Sequence, residues 1–384
     1  MSWERVALED VCEVVGGATP KTGEPEFWGG DVPWVTPADL TNLKGVYISE
    51  TPRRLTTEGL RSCAAKVLPA NSVLLSSRAP IGHVAINTVP MATNQGFKSF
   101  IPDRSRLDEK YLFWWLVSNK AALQRLGVGA TFKEISKAIV SRVVILLPPL
   151  PEQRRIASIL DEAQTLRRLA ESRVVLLEDM VRSAFRATQA SASLARVRLS
   201  DIAEVVGGST PKSGVAELWD GDIPWITPAD LSKNADLVIS KTARTISDQG
   251  LRSIGNRLLP PGAVLLSSRA PIGLVGIVGV PMATNQGFKS LIPDAEIVDS
   301  TYLYWWLRAN RATLERRGVG ATFKELSKTV VESIELALPP IEEQREFGRL
   351  ARDAEEARLR AVASLRQVQL LTDSLQARAI RGEL

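Results

Sequence analysis

The chain contains one sequence twice, with an offset of 191 residues. Unchanged segments include SSRAPIG at 76–82 and 267–273, PMATNQGFKS at 90–99 and 281–290, and GVGATFKE at 127–134 and 318–325. No insertion interrupts this register from about Val6 to the end of the chain. A period this long indicates duplicated domains, because the repeats of solenoid proteins span only about 20–50 residues. We therefore expect two copies of one fold.

Length and composition fit two globular domains with connecting elements. The chain has 384 residues, of which 45% are hydrophobic and 24% charged, which is usual for globular proteins. It contains no run of about 18 apolar residues, so we expect no membrane span. The N-terminal segment MSWERVALED carries acidic residues and lacks the apolar stretch of a signal peptide, which favours a cytoplasmic protein.

Comparison of the two copies shows whether the residue types found in many active sites are kept in both. The single histidine, His83, is aligned with Leu274, and the two cysteines, Cys12 and Cys63, are aligned with alanine and isoleucine. The cysteines are therefore predicted to be small core residues, and His83 is predicted to be a packing or a surface residue. Short of an all-carboxylate site, one histidine and two unpaired cysteines provide no metal cluster. We predict no bound metal and no histidine-based catalysis.

The sequence also lacks recognisable cofactor and methyltransferase motifs. The closest candidate, GGATPKTG at residues 16–23, places Pro20 before Lys21, where a phosphate-binding loop needs glycine. The N-P-P-[FY] signature of adenine methyltransferases is absent from the sequence. We predict that the chain binds no cofactor and is not an enzyme but positions a ligand. The net charge of +5 is compatible with a polyanionic partner.

Each copy begins with a globular part, predicted at residues 1–150 and 191–341. Short strand-like runs such as SVLLSS and HVAIN alternate with Gly, Pro and Asn turns. One helix is predicted over 107–127, with Gly127 as its C-cap. The pattern is typical of an α+β domain with a curved, mostly antiparallel sheet and few helices.

Each globular part is followed by a long helix, predicted at residues 151–190 and 342–384. Between Glu152 and Thr188 the sequence has neither Gly nor Pro. Apolar residues recur every seven positions, and the two aligned rows are Ile156, Ala163, Ala170, Leu177 and Ala184, and Phe347, Ala354, Ala361, Val368 and Leu375. A second row is predicted three positions later, at Ile159, Leu166 and Met180, and at Leu350, Ala357 and Leu371. Two rods of roughly 54 Å with matched seams are expected to pair as a coiled coil; the alternative is that each rod lies on its own domain.

The order of these motifs resembles a known family. The series GGATPKTG, DVPWVTPADL, LLSSRAPIG, ATNQGF, GVGATFKEI and LPPLPEQRRIA, followed by a second copy, closely resembles the specificity subunit of type I restriction–modification systems. The resemblance covers essentially the whole chain. Its most diagnostic part is LPPLPEQRRIA at the start of a long helix. The second copy has LALPPIEEQREFG at this place, with Glu342 where the first has proline.

The resemblance implies a function and a set of partners. Each globular part would be a target recognition domain that binds one half of a bipartite site in double-stranded DNA. The two long helices would pack antiparallel and hold these domains apart. Two modification subunits would supply S-adenosylmethionine and adenine methylation, and a restriction subunit would be a further partner. The chain itself would carry no catalytic residue.

Arg78 and its counterpart Arg269 lie in the repeated loop SSRAPIG. Two interpretations are open. The guanidinium and the neighbouring serine hydroxyls would grip a phosphate or a base edge, or the arginine would form a buried salt bridge with Asp39 or Asp230 of TPADL. Because the loop is identical in both copies, a task common to both is favoured.

Other repeated segments offer polar residues suited to DNA. The amides of TNQGFK suit adenine and its lysine suits phosphate, whereas Phe97 and Phe132 are predicted to be core residues. ATFKE adds Thr131 and a lysine, and the divergent segment 41–58, aligned with 232–249, is a candidate for base reading. The tryptophans are predicted core residues, except Trp28 and Trp219. The complete set of predicted DNA-binding residues is Thr19, Lys21, Lys44, Arg53, Arg54, Ser77, Arg78, Asn94, Gln95, Lys98, Lys133, Thr210, Lys212, Lys241, Arg244, Ser268, Arg269, Asn285, Gln286, Lys289 and Lys324.

Two other classes of function stay open from sequence. One is a stand-alone DNA methyltransferase, which the missing motifs disfavour and which binding of S-adenosylmethionine by the chain alone would support. The other is a coiled-coil adaptor that does not bind DNA. Salt-sensitive, sequence-dependent DNA binding by the assembled complex would separate a DNA-reading scaffold from such an adaptor.

Overall fold

The computed structural model describes residues 3–41, 43, 45–78, 80–129, 133–190, 195–234, 236–319 and 324–383. The chain divides into two compact units. Unit 1 comprises residues 1–170 and 365–384, and unit 2 comprises residues 171–364. Within the described ranges, none of the helices combines the length and the apolar composition that crossing a membrane requires.

The first copy of the sequence forms ten strands and six α-helices within the described residues. The strands are β1 (Glu4–Ala7), β2 (Cys12–Gly16), β3 (Trp28–Val35), β4 (Tyr47–Ile48), β5 (Arg54–Leu55), β6 (Val73–Ser76), β7 (Val84–Asn87), β8 (Ala92–Thr93), β9 (Phe97–Pro102) and β10 (Val144–Leu147). The helices are α1 (Pro37–Thr41), α2 (Thr57–Arg61), α3 (Glu109–Ser118), α4 (Lys120–Leu126), α5 (Lys137–Ser141) and α6 (Leu150–Gln189).

The second copy forms the same elements in the same order. The strands are β11 (Ala195–Arg198), β12 (Ala203–Gly207), β13 (Trp219–Ile226), β14 (Val238–Ile239), β15 (Arg244–Ile246), β16 (Val264–Leu266), β17 (Val275–Val278), β18 (Ala283–Thr284), β19 (Lys289–Pro293) and β20 (Glu335–Leu338). The helices are α7 (Pro228–Lys233), α8 (Asp248–Ser253), α9 (Ser300–Ala309), α10 (Arg311–Arg317), α11 (Lys328–Glu332) and α12 (Ile341–Arg381).

Each unit contains three small sheets. In unit 1 the largest has the strand order β2-β9-β6-β7-β4, the second β5-β3-β8, and the third is the pair β1-β10. Strands pair antiparallel except at β4–β7 and β3–β8, which are parallel. Unit 2 repeats this topology strand for strand. The prediction of a mostly antiparallel α+β fold is confirmed, with the strands distributed over three sheets.

The position of β6 in the middle of its sheet explains why its sequence is apolar without alternation. Val73 and Leu75 face the core that contains α3, and Leu74 faces a second core on the other side of the sheet. All three side chains are fully buried. A strand buried on both faces is a continuous apolar run, and burying each Leu or Val stabilises the fold by about 1.5–3 kcal/mol.

The helix predicted over 107–127 is two helices in the structure. The chain leaves helical geometry at Asn119, between α3 and α4. The side-chain amide of Asn119 donates to the carbonyl of Trp115 at 2.9 Å, a local bond that competes with the helical ladder. Gly127 follows α4 as predicted, but with an extended backbone instead of a left-handed one.

In each unit, half of one long helix packs against half of the other. In unit 2, the ring centroids of Phe185 and Phe347 are 5.4 Å apart, while Glu178 lies within Coulombic range of Arg358. Residue numbers therefore rise along one helix as they fall along the other, so these halves run antiparallel, as predicted. In unit 1, Ile156 and Leu160 of α6 share a core with Ala379 of α12.

The first predicted heptad row is buried or half-buried, but the second was placed wrongly. Leu166 and Leu371 are each 54% exposed and Met180 is 45% exposed. The row beside the first lies four positions after it, and its buried members are Leu160, Val181, Ala351, Thr372 and Ala379. Rows that lie four and then three positions apart still repeat every seven residues, so the buried stripe keeps the 3.5-residue period of a coiled-coil seam. The same helices also cover the globular parts.

Candidate nucleic-acid interface

The repeated segments come together at one end of the five-stranded sheet. In unit 1, β2 and β6 end there and β9 begins there, since Gly16 pairs with Lys98 and Ser76 pairs with Phe97. The loops that leave this end are 17–23, 77–83 and 94–96. Residue 135 joins them, because the amide of Ile135 donates to the carbonyl of Ser77 at 2.9 Å. We call this end of the sheet, with these loops and residues 133–135, the loop end.

A carboxylate that the sequence analysis did not single out organises the loop end. Glu134 accepts from Arg78 Nε at 2.7 Å and from Lys98 Nζ at 3.0 Å. Burial by itself raises the pKa of Glu134, but the hydrogen bonds from Arg78 and Lys98 outweigh it and hold that pKa below its ordinary value. The carboxylate is therefore ionised at neutral pH.

The ion pair of Arg78 differs from the one considered from sequence. Asp39 accepts instead from the backbone N–H of Thr36 at 2.7 Å and from its hydroxyl at 2.8 Å, at the start of α1. The Arg78 side chain is still 45% exposed, and among the described residues only its Nε has a partner. The outer edge of its guanidinium therefore faces solvent at the loop end.

Two of the predicted polar residues shape the loops from inside. Ser77 is fully buried and its hydroxyl donates to the carbonyl of Gly96 at 3.1 Å. The side-chain oxygen of Asn94 accepts from the N–H of Gly96 at 2.9 Å, which closes a turn of the Asx type. Both side chains therefore hold the backbone and do not project from the surface.

Gln95 lies on the exposed tip of the same turn. The Thr19 hydroxyl donates to its side-chain carbonyl oxygen, which fixes the orientation of the amide. Gln95 is exposed and Thr19 is half-buried. An amide held in this way presents a defined donor and acceptor to a base edge.

Arg53 packs on the paired tryptophans of the three-stranded sheet. Its guanidinium carbon lies 3.7 Å from the ring centroid of Trp28 and 5.0 Å from that of Trp34. The two rings meet edge to face at 5.0 Å. Trp28 is half-buried and Trp219 is 7% exposed, and each belongs to a hydrophobic cluster, so the prediction that they lie outside the core is wrong. Each ring is also the platform on which an arginine stacks.

Arg54 is also engaged within the protein. It donates to the carbonyls of Gly30 at 3.1 Å and Asp31 at 2.6 Å. Two residues of the sequence prediction, Lys44 and Thr131, lie outside the described residues.

Two lysines at the loop end have surroundings different from those of Arg53 and Arg54. Lys21 and Lys133 are exposed, and among the residues that the structure describes neither side-chain ammonium group has a hydrogen-bond or ion-pair partner. Two positive charges at the loop end thus have no acceptor among the described residues.

Unit 2 repeats the site. Glu325 accepts from Arg269 at 3.0 Å and from Lys289 at 3.1 Å, and burial, which raises its pKa, is again outweighed by these bonds. Ser268 and Asn285 make the same backbone contacts as their counterparts, and the Thr210 hydroxyl donates to Gln286. Arg244 stacks on Trp219 at 3.7 Å. Lys212 and Lys324 are exposed, like their counterparts.

Lys241 does not belong to the loop end. It follows β14, which runs parallel to β17 away from the loop end. Lys241 is exposed beyond the opposite end of the sheet. Arg53 and Arg244, by contrast, border the loop end, because the tryptophans on which they stack donate their indole N–H groups to the carbonyls of Lys21 and Lys212.

The sequence analysis did not identify the glutamates of the cluster, because only cations and amides were considered as DNA ligands. The signal was present, since Glu134 and Glu325 end the identical GVGATFKE segments. In the described residues, no group of three His, Cys, Asp or Glu side chains is arranged to hold a metal ion.

Comparison with protein families gives one assignment for both copies. A family model described as "Type I restriction modification DNA specificity domain" matches residues 1–172 and again residues 194–350. These two stretches cover far more than half of the chain.

Two curated relatives carry related names. The "Type I restriction enzyme MjaIX specificity subunit" of Methanocaldococcus jannaschii is 39% identical over 160 residues, which are 41% of this chain and 37% of the relative. The "Putative type I restriction enzyme MjaX specificity subunit" of the same organism is 23% identical over 383 residues, which cover 90% of this chain and 85% of the relative. The chain therefore matches well under half of the first relative and most of the second.

A solved structure shares the architecture. The type I restriction–modification system S subunit from M. genitalium aligns with a TM-score of 0.62 and 14% identity, covering 99% of this chain and 96% of that one. At this level of identity the likeness concerns the fold, and it agrees with the predicted α+β copies and long helices.

Proposed function

This chain belongs to the type I restriction–modification DNA specificity family, and from that premise we propose that it is the subunit that reads a bipartite DNA target. In this proposal, residues 1–150 and 191–341 each bind one half-site as target recognition domains. Residues 151–190 and 342–384 are the connecting helices. The family model that matches each copy supports one DNA-binding module in each.

The observation that carries the proposal is the loop end. Segments far apart in sequence converge on one end of a sheet in both units, and they expose lysines whose ammonium groups have no acceptor among the described residues. Such a surface attracts the phosphate backbone, because each neutralised phosphate releases condensed counterions. The rigid Glu134 cluster behind it keeps the loops in place when DNA approaches.

The side chains then divide into two roles. We assign phosphate contacts to Lys21 and Lys133, which are exposed point charges, and to the outer edge of Arg78. We assign base reading to Gln95, because a glutamine amide matches the N6 and N7 groups of adenine. Ser77 and Asn94 act only by shaping the loops.

The unit 2 residues take the same roles. Lys212, Lys324 and Arg269 bind phosphate, and Gln286 reads a base. Lys98 and Lys289, whose side chains are only 11% and 15% exposed, hold the glutamates in place and contribute positive potential from beneath the surface.

The chemistry of the system is assigned to other subunits. We propose that two modification subunits bind this chain and supply S-adenosylmethionine and the methylation of adenine, and that a restriction subunit joins them. The chain is then a non-catalytic scaffold without cofactor, and it acts on DNA in the cytoplasm.

The test is to map methylated adenines across the genome of a host that makes the modification subunits, with and without this chain. A bipartite motif should appear only when the chain is present. If the methylated motif is the same without the chain, another protein reads the DNA and the proposal is wrong.

A second measurement tests the phosphate contacts. In the assembled complex, Lys21→Ala should weaken binding of target and non-target DNA about equally. It should also reduce the slope of log K against log salt concentration by about 1. The matched control is Arg104→Ala, which removes one positive charge just beyond Pro102, at the opposite end of β9. If both variants lower the slope equally, the loop end is not the DNA-binding surface.

A further inference from the structure

We infer that the two units read the same base sequence, so that the DNA target contains one half-site twice. The inference rests on the proposed function, since it specifies the substrate of the same surface. It concerns which bases are read, whereas the family assignment concerns only that DNA is read. Three observations carry it.

The first observation is the identity of the exposed side chains at the loop end. Every described residue to which we assign a DNA contact in unit 1 has the same residue 191 positions later, and the pairs are Lys21 and Lys212, Arg78 and Arg269, Gln95 and Gln286, and Lys133 and Lys324. A base is recognised by the pattern of donors and acceptors that the protein presents. Identical side chains in identical places present one pattern.

The second observation is that the scaffold behind these side chains is also the same. The Lys98–Glu134 and Lys289–Glu325 distances are 3.0 and 3.1 Å. The Arg53–Trp28 and Arg244–Trp219 distances are both 3.7 Å.

The hydroxyls that orient the two glutamines are repeated as well. The same groups are therefore held in the same positions, so the preference of one unit should be that of the other.

The third observation is where the copies differ. Within the loops 17–23 the differences are small, since Ala18 and Thr22 are serines in the second copy. His83, which ends the loop 77–83, is half-buried and is replaced by Leu274. The strongest change, Glu50 to Lys241, lies beyond the end of the sheet opposite to the loops.

The divergent segment 41–58 holds most of the remaining sequence difference, and Gly45, for example, is Asp236 in the second copy. The guanidinium of Arg54, which is Thr245 in the second copy, donates hydrogen bonds to two backbone carbonyls. Two further differences, Asn42 against Lys233 and Lys44 against Ala235, involve positions outside the described residues. Segment 41–58 is thus the part of the chain from which different half-sites would have to be read.

The experiment is the methylation map of the complete system with the unaltered chain. When the two half-sites are aligned on their modified bases, we expect the same base sequence in both. Two unrelated half-sites would overturn the inference and leave the proposed function standing. The absence of any motif that depends on this chain would instead overturn the proposed function.

Two variants test the same point residue by residue. Gln95→Ala and Gln286→Ala should each relax one base position, in one half-site each, and the position should be the same in both. Discrimination at that base pair should fall roughly 10- to 100-fold. Gln249→Ala, which removes an exposed glutamine on α8 whose counterpart is Glu58, is the control and should relax no position. Relaxation at different positions of the two half-sites would contradict the inference.

Discussion

The loop end and the helix-packing side of the same globular part have diverged to very different extents. At the loop end the two units keep the same residues and the same hydrogen bonds. On the other side of the sheet, where the long helices pack on α3 or α9, aligned residues differ in size and in charge. The two copies have therefore remained alike at the loop end and have changed where their neighbours differ.

In unit 1 a carboxylate joins the long helix to α3 on the helix-packing side of the sheet. Asp161 of α6 accepts from the indole N–H of Trp114 at 2.8 Å and from the ammonium of Lys110 at 2.6 Å. The hydrogen bond to Asp161 is the main reason that the pKa of Lys110 is raised. The network ties α6 to α3.

Unit 2 has an arginine at the aligned position. Arg352 donates to the Thr301 hydroxyl at 2.7 Å and lies 3.7 Å from Asp299. The indole N–H of Trp305 is buried and has no partner among the described residues. Unit 2 compensates with aromatic packing, since Phe185 contacts the rings of Tyr302 and Phe347.

The difference follows from how the helices pair. In unit 1 the first half of α6 packs with the second half of α12, and in unit 2 the roles are exchanged. Aligned residues therefore pack against different neighbours, so different combinations of large and small side chains can fill the two helix seams. Phe185 is aligned with Gln376, for example. Four predictions test this contrast, from the largest expected effect to the smallest.

Phe185→Ala should destabilise unit 2 by about 3–5 kcal/mol, because it empties the centre of an aromatic cluster. Gln376→Ala, at the aligned position on α12, should change unit 1 by less than about 0.5 kcal/mol. Hydrogen exchange resolved by unit measures both. Equal losses would mean that the two seams depend on the same position after all.

Trp114→Phe should cost unit 1 about 1–2 kcal/mol more than Trp305→Phe costs unit 2. Both changes remove the same ring atoms, but only Trp114 loses a hydrogen bond to a carboxylate. The comparison uses the same hydrogen-exchange measurement. An equal cost would show that the Trp114–Asp161 bond contributes nothing net.

Acid should open the loop end of both units in the same pH range. The pKa of Glu134 and of Glu325 is held below the ordinary value of 4.5. Their contribution is therefore complete above about pH 4.5 and is lost as the pH falls through the lower pKa of the folded protein. The reporters are the amides of Ile135 and Leu326, which donate to Ser77 and Ser268.

The control for this measurement is Glu134→Gln. It should remove the acid-dependent increase in exchange at Ile135 and leave that at Leu326 unchanged. If the increase at Ile135 persists in the variant, a group other than Glu134 titrates.

Exchanging segment 41–58 with 232–249 should have the smallest effect. The described arginines of this segment contact tryptophan rings and backbone carbonyls, so we expect the methylated sequence to stay the same. Methylation mapping of the exchanged chain measures it. A change in either half-site would identify this segment as a base-reading element and would argue against one half-site read twice.

Much of the architecture was determined by the sequence alone. The 191-residue offset established two copies of one fold, the lack of Gly and Pro over 152–188 predicted a long helix, and the aligned motifs pointed to the family. Such features are local or periodic, so they can be recognised without knowing which residues meet in space.

Contacts between distant segments were decided only by the tertiary structure. From sequence, Asp39 was a candidate partner of Arg78, but in the structure Arg78 bonds to Glu134, 56 residues away in sequence. Strand pairing brings Arg78 and Glu134 to one end of the sheet. The fold also stacks Arg53 on the rings of Trp28 and Trp34. Arg54 donates to two backbone carbonyls of β3, and neither contact was predicted from the sequence. A basic residue in a sequence is a candidate for DNA binding, but whether its charge faces DNA or a neighbouring side chain depends on packing between elements that no local pattern encodes.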